Sequence, residues 1–219
     1  MERPGGFTPG ERSLSDGEIR TLWTGLPQSL ARSVQCQRVI MLCLVTAQRL
    51  GEVCGMRRSE LDFARKLWSL PAVRVKNAHS HTVPLSTLAM SIIREALTDA
   101  SDEFVFLDER GGPLPASVVT RAVSRARETS EDRPLGRFGI APFSAHDLRR
   151  TALSGLARLG VTPHVIAHVA NHRSITKGSV TFATYVQYSY EGEKRAALDL
   201  WARELRRIIA AHDNVEAAA

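Results

Sequence analysis

The sequence predicts a mixed α/β domain that is predominantly helical and carries one small antiparallel sheet. Apolar residues recur at helical spacing over most of the chain, and several of those runs open on a capping signal. One stretch, Leu67 to Leu85, changes to a strand period.

Residues 1–12 are rich in Gly and Pro, lack an apolar period and read as a linker. Ser15-Asp16-Gly17-Glu18 is a capping box that opens a first helix, with Ile19, Leu22 and Trp23 on its apolar face. Leu30 to Ala47, unusually apolar around Val39–Val45, predicts a central buried helix, and a short helix follows over Glu52–Met56. Leu67–Leu70, Val73–Val75 and His81–Leu85 then predict a sheet of two or three strands, with a polar turn at Asn77–Ser80. Helical patterns resume at Thr87–Leu97 and, after Gly111-Gly112-Pro113, at Ala116–Glu128; Thr129–Pro142 reads as a surface loop. Ser144, with Asp147 three residues on, caps a helix running to about Leu159, and Thr162-Pro163 opens another. A last amphipathic helix runs from about Gly192, with Leu198, Trp201, Leu205, Ile208 and Ile209 on one stripe. That stripe suits either its own domain or a neighbouring protomer.

A chain of 219 residues with 43% hydrophobic and 24% charged residues can bury a core, which excludes a disordered or fibrous protein. No run approaches the ~18–20 apolar residues of a membrane span, and Met1–Gly6 lacks a secretory signal's apolar run. Cys36, Cys43 and Cys54 form no disulfide framework and no CxxC pair, so they read as small core residues in a reducing cytoplasm. The net charge of +6 makes polyanions the first partners to consider. Lys66, Lys76, Lys177 and Lys194 are the only lysines among the 29 basic residues, and arginine grips phosphate with paired hydrogen bonds that lysine cannot make.

Polar residues stand out where a core favours apolar ones. Arg49 follows the apolar helix, and Glu52 three residues on can pair with it or orient it toward a ligand. His146 and Arg149 share one face beside a helix N-terminus, where backbone N–H groups and the macrodipole also favour an anion. His172 falls at a helix end. His164 and His168 have metal-ligand spacing, but neither an HExxH glutamate nor a cysteine accompanies them, which disfavours a metal site. Tyr185, Tyr188 and Tyr190 cluster before the last helix; a phenol becomes a useful nucleophile only where cations stabilise its oxyanion.

The order of these features is more specific than any one of them. Thr46-Ala47-Gln48-Arg49-Leu50-Gly51-Glu52 resembles the first arginine box of the tyrosine recombinases, the phage-integrase family. Lys76-Asn77 before His81-Thr82-Val83-Pro84-Leu85 resembles that family's β-hairpin lysine, and His146-Asp147-Leu148-Arg149 its H-x-x-R box. Asn171-His172 is similar to its later histidine position, with Ala170-Asn171-His172 replacing the commoner L-G-H. Thr184-Tyr185 is similar to the nucleophile segment of integrases from phages and genomic islands.

The resemblance runs from about Leu14 to Ile209 and implies the tyrosine-recombinase catalytic-domain fold over residues 13–219, with the family's N-terminal DNA-clamping domain absent from this chain. It implies a site-specific recombinase or integrase of a mobile element, with Arg49, Lys76, His146, Arg149, His172 and Tyr185 catalytic, no cofactor and no metal. It also implies double-stranded DNA attachment sites as substrate, a homotetramer on DNA, an accessory directionality factor, no membrane, and a cytoplasmic, nucleoid-associated setting. Two other readings share the scaffold: a DNA-binding protein that has lost catalysis, and a topoisomerase-like relaxase of one strand at a time.

Overall fold

The computed structural model describes residues 12–75, 79–99, 103–172 and 188–211. Among them, eight α-helices surround one three-stranded sheet: α1 (Asp16–Ser29), α2 (Val34–Thr46), α3 (Leu50–Cys54), β1 (Leu61–Asp62), β2 (Leu67–Leu70), β3 (His81–Pro84), α4 (Thr87–Leu97), α5 (Ala116–Ala126), α6 (Ala145–Arg158), α7 (Pro163–Val169) and α8 (Glu191–Ala210). None of these helices is long and apolar enough to cross a membrane.

Local capping chemistry fixes several boundaries. The Ser15 hydroxyl accepts from Glu18 N at 3.3 Å while Glu18 Oε2 accepts from Ser15 N at 3.0 Å, the expected box. Ser33 caps α2 by accepting from Cys36 N, so that helix starts later than the apolar run beginning at Leu30 suggests. The Ser144–Asp147 box opens α6, and Pro163 occupies the first turn of α7.

α2 is the buried centre and touches α1, α3, α4, α5, α6 and α8. Cys36, Cys43 and Cys54 are buried free thiols, and burial pushes the Cys54 thiol up to about 12, so they pack as small apolar residues. The apolar stripe of α8 closes the same core: Leu198, Trp201, Leu205 and Ile208 are buried, and Trp201 Nε1 donates to the Leu44 carbonyl of α2 at 2.9 Å. That stripe is therefore covered by its own domain. A Cβ placed on Gly155 of α6 would lie 2.3 Å from the Trp201 ring, so only glycine lets α6 and α8 approach this closely.

The sheet is antiparallel in the order β1-β2-β3, with Trp68 opposite Val83 and Leu70 opposite His81. The sequence reading of Val73–Val75 as a strand is overturned. Residues Ala72–Arg74 form a 3₁₀ turn after Pro71, and the extra strand is Leu61–Asp62, before β2. The reason is electrostatic. Arg74 turns inward to pair with the buried carboxylate of Glu60 and donates to the Glu52 carbonyl at 2.8 Å, leaving Val73 at 91% exposure. Glu60 also accepts from Trp68 Nε1 at 3.0 Å. The segment 129–142 is a loop, as expected, but Phe138 and Ile140 plug into the core rather than lying on the surface.

Candidate active site

The site forms where the end of α2, the first turns of α6 and the end of α7 meet. Ala47 caps α2 in the left-handed conformation, φ 57°, which turns its carbonyl back toward α6. Gln48, 1% exposed, donates from Nε2 to the carbonyls of Thr46 (2.8 Å) and Val169 (3.0 Å), fastening this turn to the end of α7. Arg49 then occupies the N-cap position of α3. Glu52 Oε2 accepts from Arg49 N and Oε1 from Arg49 Nη1, both at 3.0 Å, so one buried carboxylate fixes the backbone and the guanidinium together. The Arg49 side chain retains 23% exposure.

In α6, Asp147 is consumed locally. Its Oδ2 accepts from Ser144 N and Oγ at 2.8 Å, and its Oδ1 accepts from Arg150 Nη1 at 2.6 Å. The first turn is thereby locked with His146 at the surface and Arg149 inside. Arg149 is 2% exposed and donates from Nη1 to the Ala47 carbonyl at 2.7 Å and from Nη2 to the Ala170 carbonyl. Its partners are carbonyl dipoles, so its positive charge is oriented but not cancelled. Burial, then repulsion from Arg49, lowers its pKa to about 10, which leaves it cationic at neutral pH.

His172 follows the left-handed Asn171, φ 48°, and its backbone N donates to the Ala167 carbonyl at 3.0 Å. Desolvation, then Arg149, Arg49 and His146, lowers the His172 pKa below its usual value. His146 is lowered by desolvation, then by Arg150 and Arg149, against Asp147. Both rings are therefore neutral at pH 7 and able to accept a proton. Arg49, His146, Arg149 and His172, spread over 124 residues of sequence, converge on one electropositive spot. Two guanidiniums beside two neutral imidazoles can hold an anion whose charge grows during reaction.

Lys76 and Tyr185 lie outside the described residues. Of the other two tyrosines, Tyr188 is 58% exposed, and Tyr190 stacks on His168 at 4.0 Å between ring centroids. His164 Nε2 lies 3.2 Å from His168 Nε2. Sequence reasoning gave no role to Gln48, which ties the end of α2 to the end of α7, or to Lys194, which is buried and whose Nζ donates to the Thr82 carbonyl at 2.6 Å. His81 alternates with Val83 and Leu85, a strand signal that places it on the inward face.

Residues 13–191 match the phage integrase family. The chain is 31% identical over 178 residues to the prophage integrase IntA of Escherichia coli K12, covering 80% of this chain and 39% of that protein. It is 29% identical over 145 residues to the tyrosine recombinase XerC of Corynebacterium glutamicum, covering 63% and 42% respectively. The chain thus spans about two-fifths of the length of these relatives. Its fold resembles the crystal structure of XerA recombinase, with TM-score 0.58, 18% identity, and coverage of 94% of this chain and 66% of that one. It also resembles a lambda integrase tetramer bound to a Holliday junction, with TM-score 0.60, 17% identity, and coverage of 81% and 52%. With the family match spanning most of its length, the chain belongs to the phage integrase family.

Proposed function

We propose that residues 13–219 are the catalytic domain of a site-specific DNA recombinase acting for a mobile element. The observation that carries this reading is Arg149, a buried guanidinium held by two carbonyls, beside Arg49 and two neutral histidines. Such a site is suited to an anion.

In this mechanism the Tyr185 phenol oxygen attacks the scissile phosphorus and its proton passes to His146. Arg49 and Arg149 stabilise the non-bridging oxygens, and His172 hydrogen-bonds one of them. The bond from phosphorus to the 5′ oxygen breaks, and Lys76 protonates that oxygen, leaving a 3′-phosphotyrosyl link and a free 5′ hydroxyl. Reversal of the same steps on an exchanged strand rejoins the DNA without ATP. The guanidiniums supply the charge stabilisation, so cleavage proceeds in EDTA. The substrate is double-stranded DNA carrying attachment sites. Strand exchange uses four protomers, an assembly in keeping with the tetrameric form of the lambda integrase structure. An accessory directionality factor and a cytoplasmic, nucleoid-associated setting complete the proposal.

The test is a nicked suicide duplex spanning the element's junction. Wild-type protein forms a covalent adduct with and without EDTA, whereas Tyr185→Phe forms none yet still retards the duplex. Adduct formation by Tyr185→Phe at the wild-type level overturns the nucleophile assignment.

A further inference from the structure

Helix α3 has only five residues, too few to hold a helical turn without partners at its ends. Its N-terminal end is fastened by Glu52, whose carboxylate accepts from both the backbone N and the guanidinium of Arg49. Its C-terminal end is fastened from outside. Arg74, in the 3₁₀ turn after β2, donates from Nη2 to the Glu52 carbonyl at 2.8 Å. Glu52 thus holds Arg49 with its side chain while Arg74 holds Glu52 by its backbone.

The Arg74 guanidinium is itself fixed on two other sides. Its Nη1 pairs with the Glu60 carboxylate, which also accepts from Trp68 Nε1 of β2 at 3.0 Å. Beside it lies Gly55, the C-cap of α3, where a Cβ would stand 3.0 Å from Arg74 Nη2 and 3.6 Å from Cζ. An arginine in this place satisfies one of the last carbonyls of α3, which the helix leaves without an internal partner. Packing alone does not call for such a pair. The Arg74 and Glu60 side chains keep only 15% and 5% exposure, and apolar residues of similar volume are often as stable there. What the pair adds is direction: one line of hydrogen bonds runs from Trp68 in the sheet through Glu60, Arg74 and Glu52 to Arg49.

We infer that Arg74 is a positioning residue for Arg49: its bond to the Glu52 carbonyl, braced by Glu60, sets where α3 stands and with it the Arg49 guanidinium. This inference rests on the proposed role of Arg49 in stabilising the non-bridging oxygens. Losing the bond should slow cleavage through Arg49 and leave binding of the duplex intact.

The experiment is a double-mutant cycle read by single-turnover cleavage of the nicked suicide duplex, with urea denaturation alongside. Arg74→Met should cleave ~10–10²-fold more slowly than wild type, the scale expected of a small misplacement. In the Arg49→Ala background the same substitution should change the rate by less than about threefold, because the group it acts through is gone. Arg74→Lys keeps a charge for Glu60 but cannot bridge the carboxylate and the carbonyl. It should regain most of the urea midpoint lost in Arg74→Met and little of the rate. If Arg74→Met fails to fold, Arg74→Lys and Gly55→Ala decide; the added methyl of Gly55→Ala pushes on Nη2 and should slow cleavage severalfold, again only while Arg49 is present. Slowing of the same size with and without Arg49, or a rate that returns in step with the urea midpoint in Arg74→Lys, makes Arg74 structural only and overturns the inference. So does recovery of Arg74→Met on a duplex with sulfur at the 5′-bridging position, where a thiolate departs without a proton, since that places the defect in Lys76. If Arg49→Ala itself cleaves at the wild-type rate, the clamp assignment of Arg49 falls and this inference falls with it.

Discussion

Arg149 donates from Nη1 to the carbonyl of Ala47 at 2.7 Å, across 102 residues of sequence. That carbonyl is available because Ala47 adopts the left-handed conformation at the end of α2 instead of continuing the helix. One bond thus sets the spacing of Arg49, two residues after Ala47, from Arg149. Arg149→Ala should lower the cleavage rate by ~10²–10³-fold, the scale of losing one preorganised donor to a developing oxyanion. Arg149→Lys should recover little of it, because an ammonium cannot span the Ala47 and Ala170 carbonyls as the planar fork does. Lysine restoring near wild-type cleavage in single-turnover assays would show that charge alone matters here.

Gly155 tests the packing behind the site. An added methyl at that position meets the Trp201 ring, which is fully buried and tied to Leu44. Gly155→Ala should destabilise the domain by at least ~1–3 kcal/mol through overpacking, despite alanine's better helix propensity. Urea denaturation measures this; an unchanged midpoint would mean that α8 shifts freely on α6.

Much of this arrangement was legible in the sequence because it is local. The Ser15–Glu18 and Ser144–Asp147 boxes and Pro163 mark helix starts through contacts spanning three or four residues. Residues Arg49, His146, Arg149 and His172 were likewise legible as types in order, and the fold brings those four together. The misplaced strand was not legible, since whether Val73–Val75 pairs in a ladder depends on a buried carboxylate at Glu60, fourteen residues before Arg74. Nor were the carbonyl partners of Arg149. They exist only because Ala47 turns left-handed and α7 ends at Val169, and neither residue type announces it. His81 is legible as the first residue of a strand whose alternation with Val83 and Leu85 turns it inward, but its pairing opposite Leu70 follows from a register that the turn alone does not specify.

The same histidine predicts acid sensitivity. His81 titrates near 6.5 in the unfolded chain and at about 3 in the folded one. Between those values the unfolded state binds a proton that the folded state refuses. Its contribution is therefore complete above pH 6.5 and falls away as the pH drops toward 3. Lowering the pH from 7.5 to 5 should cost wild type about 2 kcal/mol more than it costs His81→Asn. Equal losses for the two proteins in urea titrations would show that His81 is protonated in the native state.

The neutral state of His146 has a kinetic counterpart. Desolvation and the nearby Arg150 and Arg149 depress its pKa, so it stays a competent base below the usual histidine range. The acid-side decline of single-turnover cleavage should therefore be centred below the ordinary histidine value of about 6.5. Arg150→Gln removes one of the depressing charges and should move that decline to higher pH. A decline of wild type centred above 6.5, or no movement in Arg150→Gln, would assign the base elsewhere.

The repulsion between Arg49 and Arg149 makes a prediction that needs no DNA. Each guanidinium is held in place, Arg49 by Glu52 and Arg149 by two carbonyls, so the site carries positive charge that its own carboxylate does not fully neutralise. A small tetrahedral oxyanion that enters should bind the folded state alone, because the unfolded chain scatters these residues. Inorganic phosphate or tungstate should then raise the melting temperature, with the logarithmic dependence on concentration expected of one site. The gain should be about 2.7 kcal/mol at a hundredfold excess over the dissociation constant. Sodium chloride at matched ionic strength should do less, since screening weakens the repulsion without bridging the two guanidiniums. Arg49→Ala and Arg149→Ala should each abolish the gain over sodium chloride, whereas Arg38→Ala, on a separate surface pair with Asp99, should leave it intact. A rise of the same size in all three variants would place the anion somewhere other than between Arg49 and Arg149.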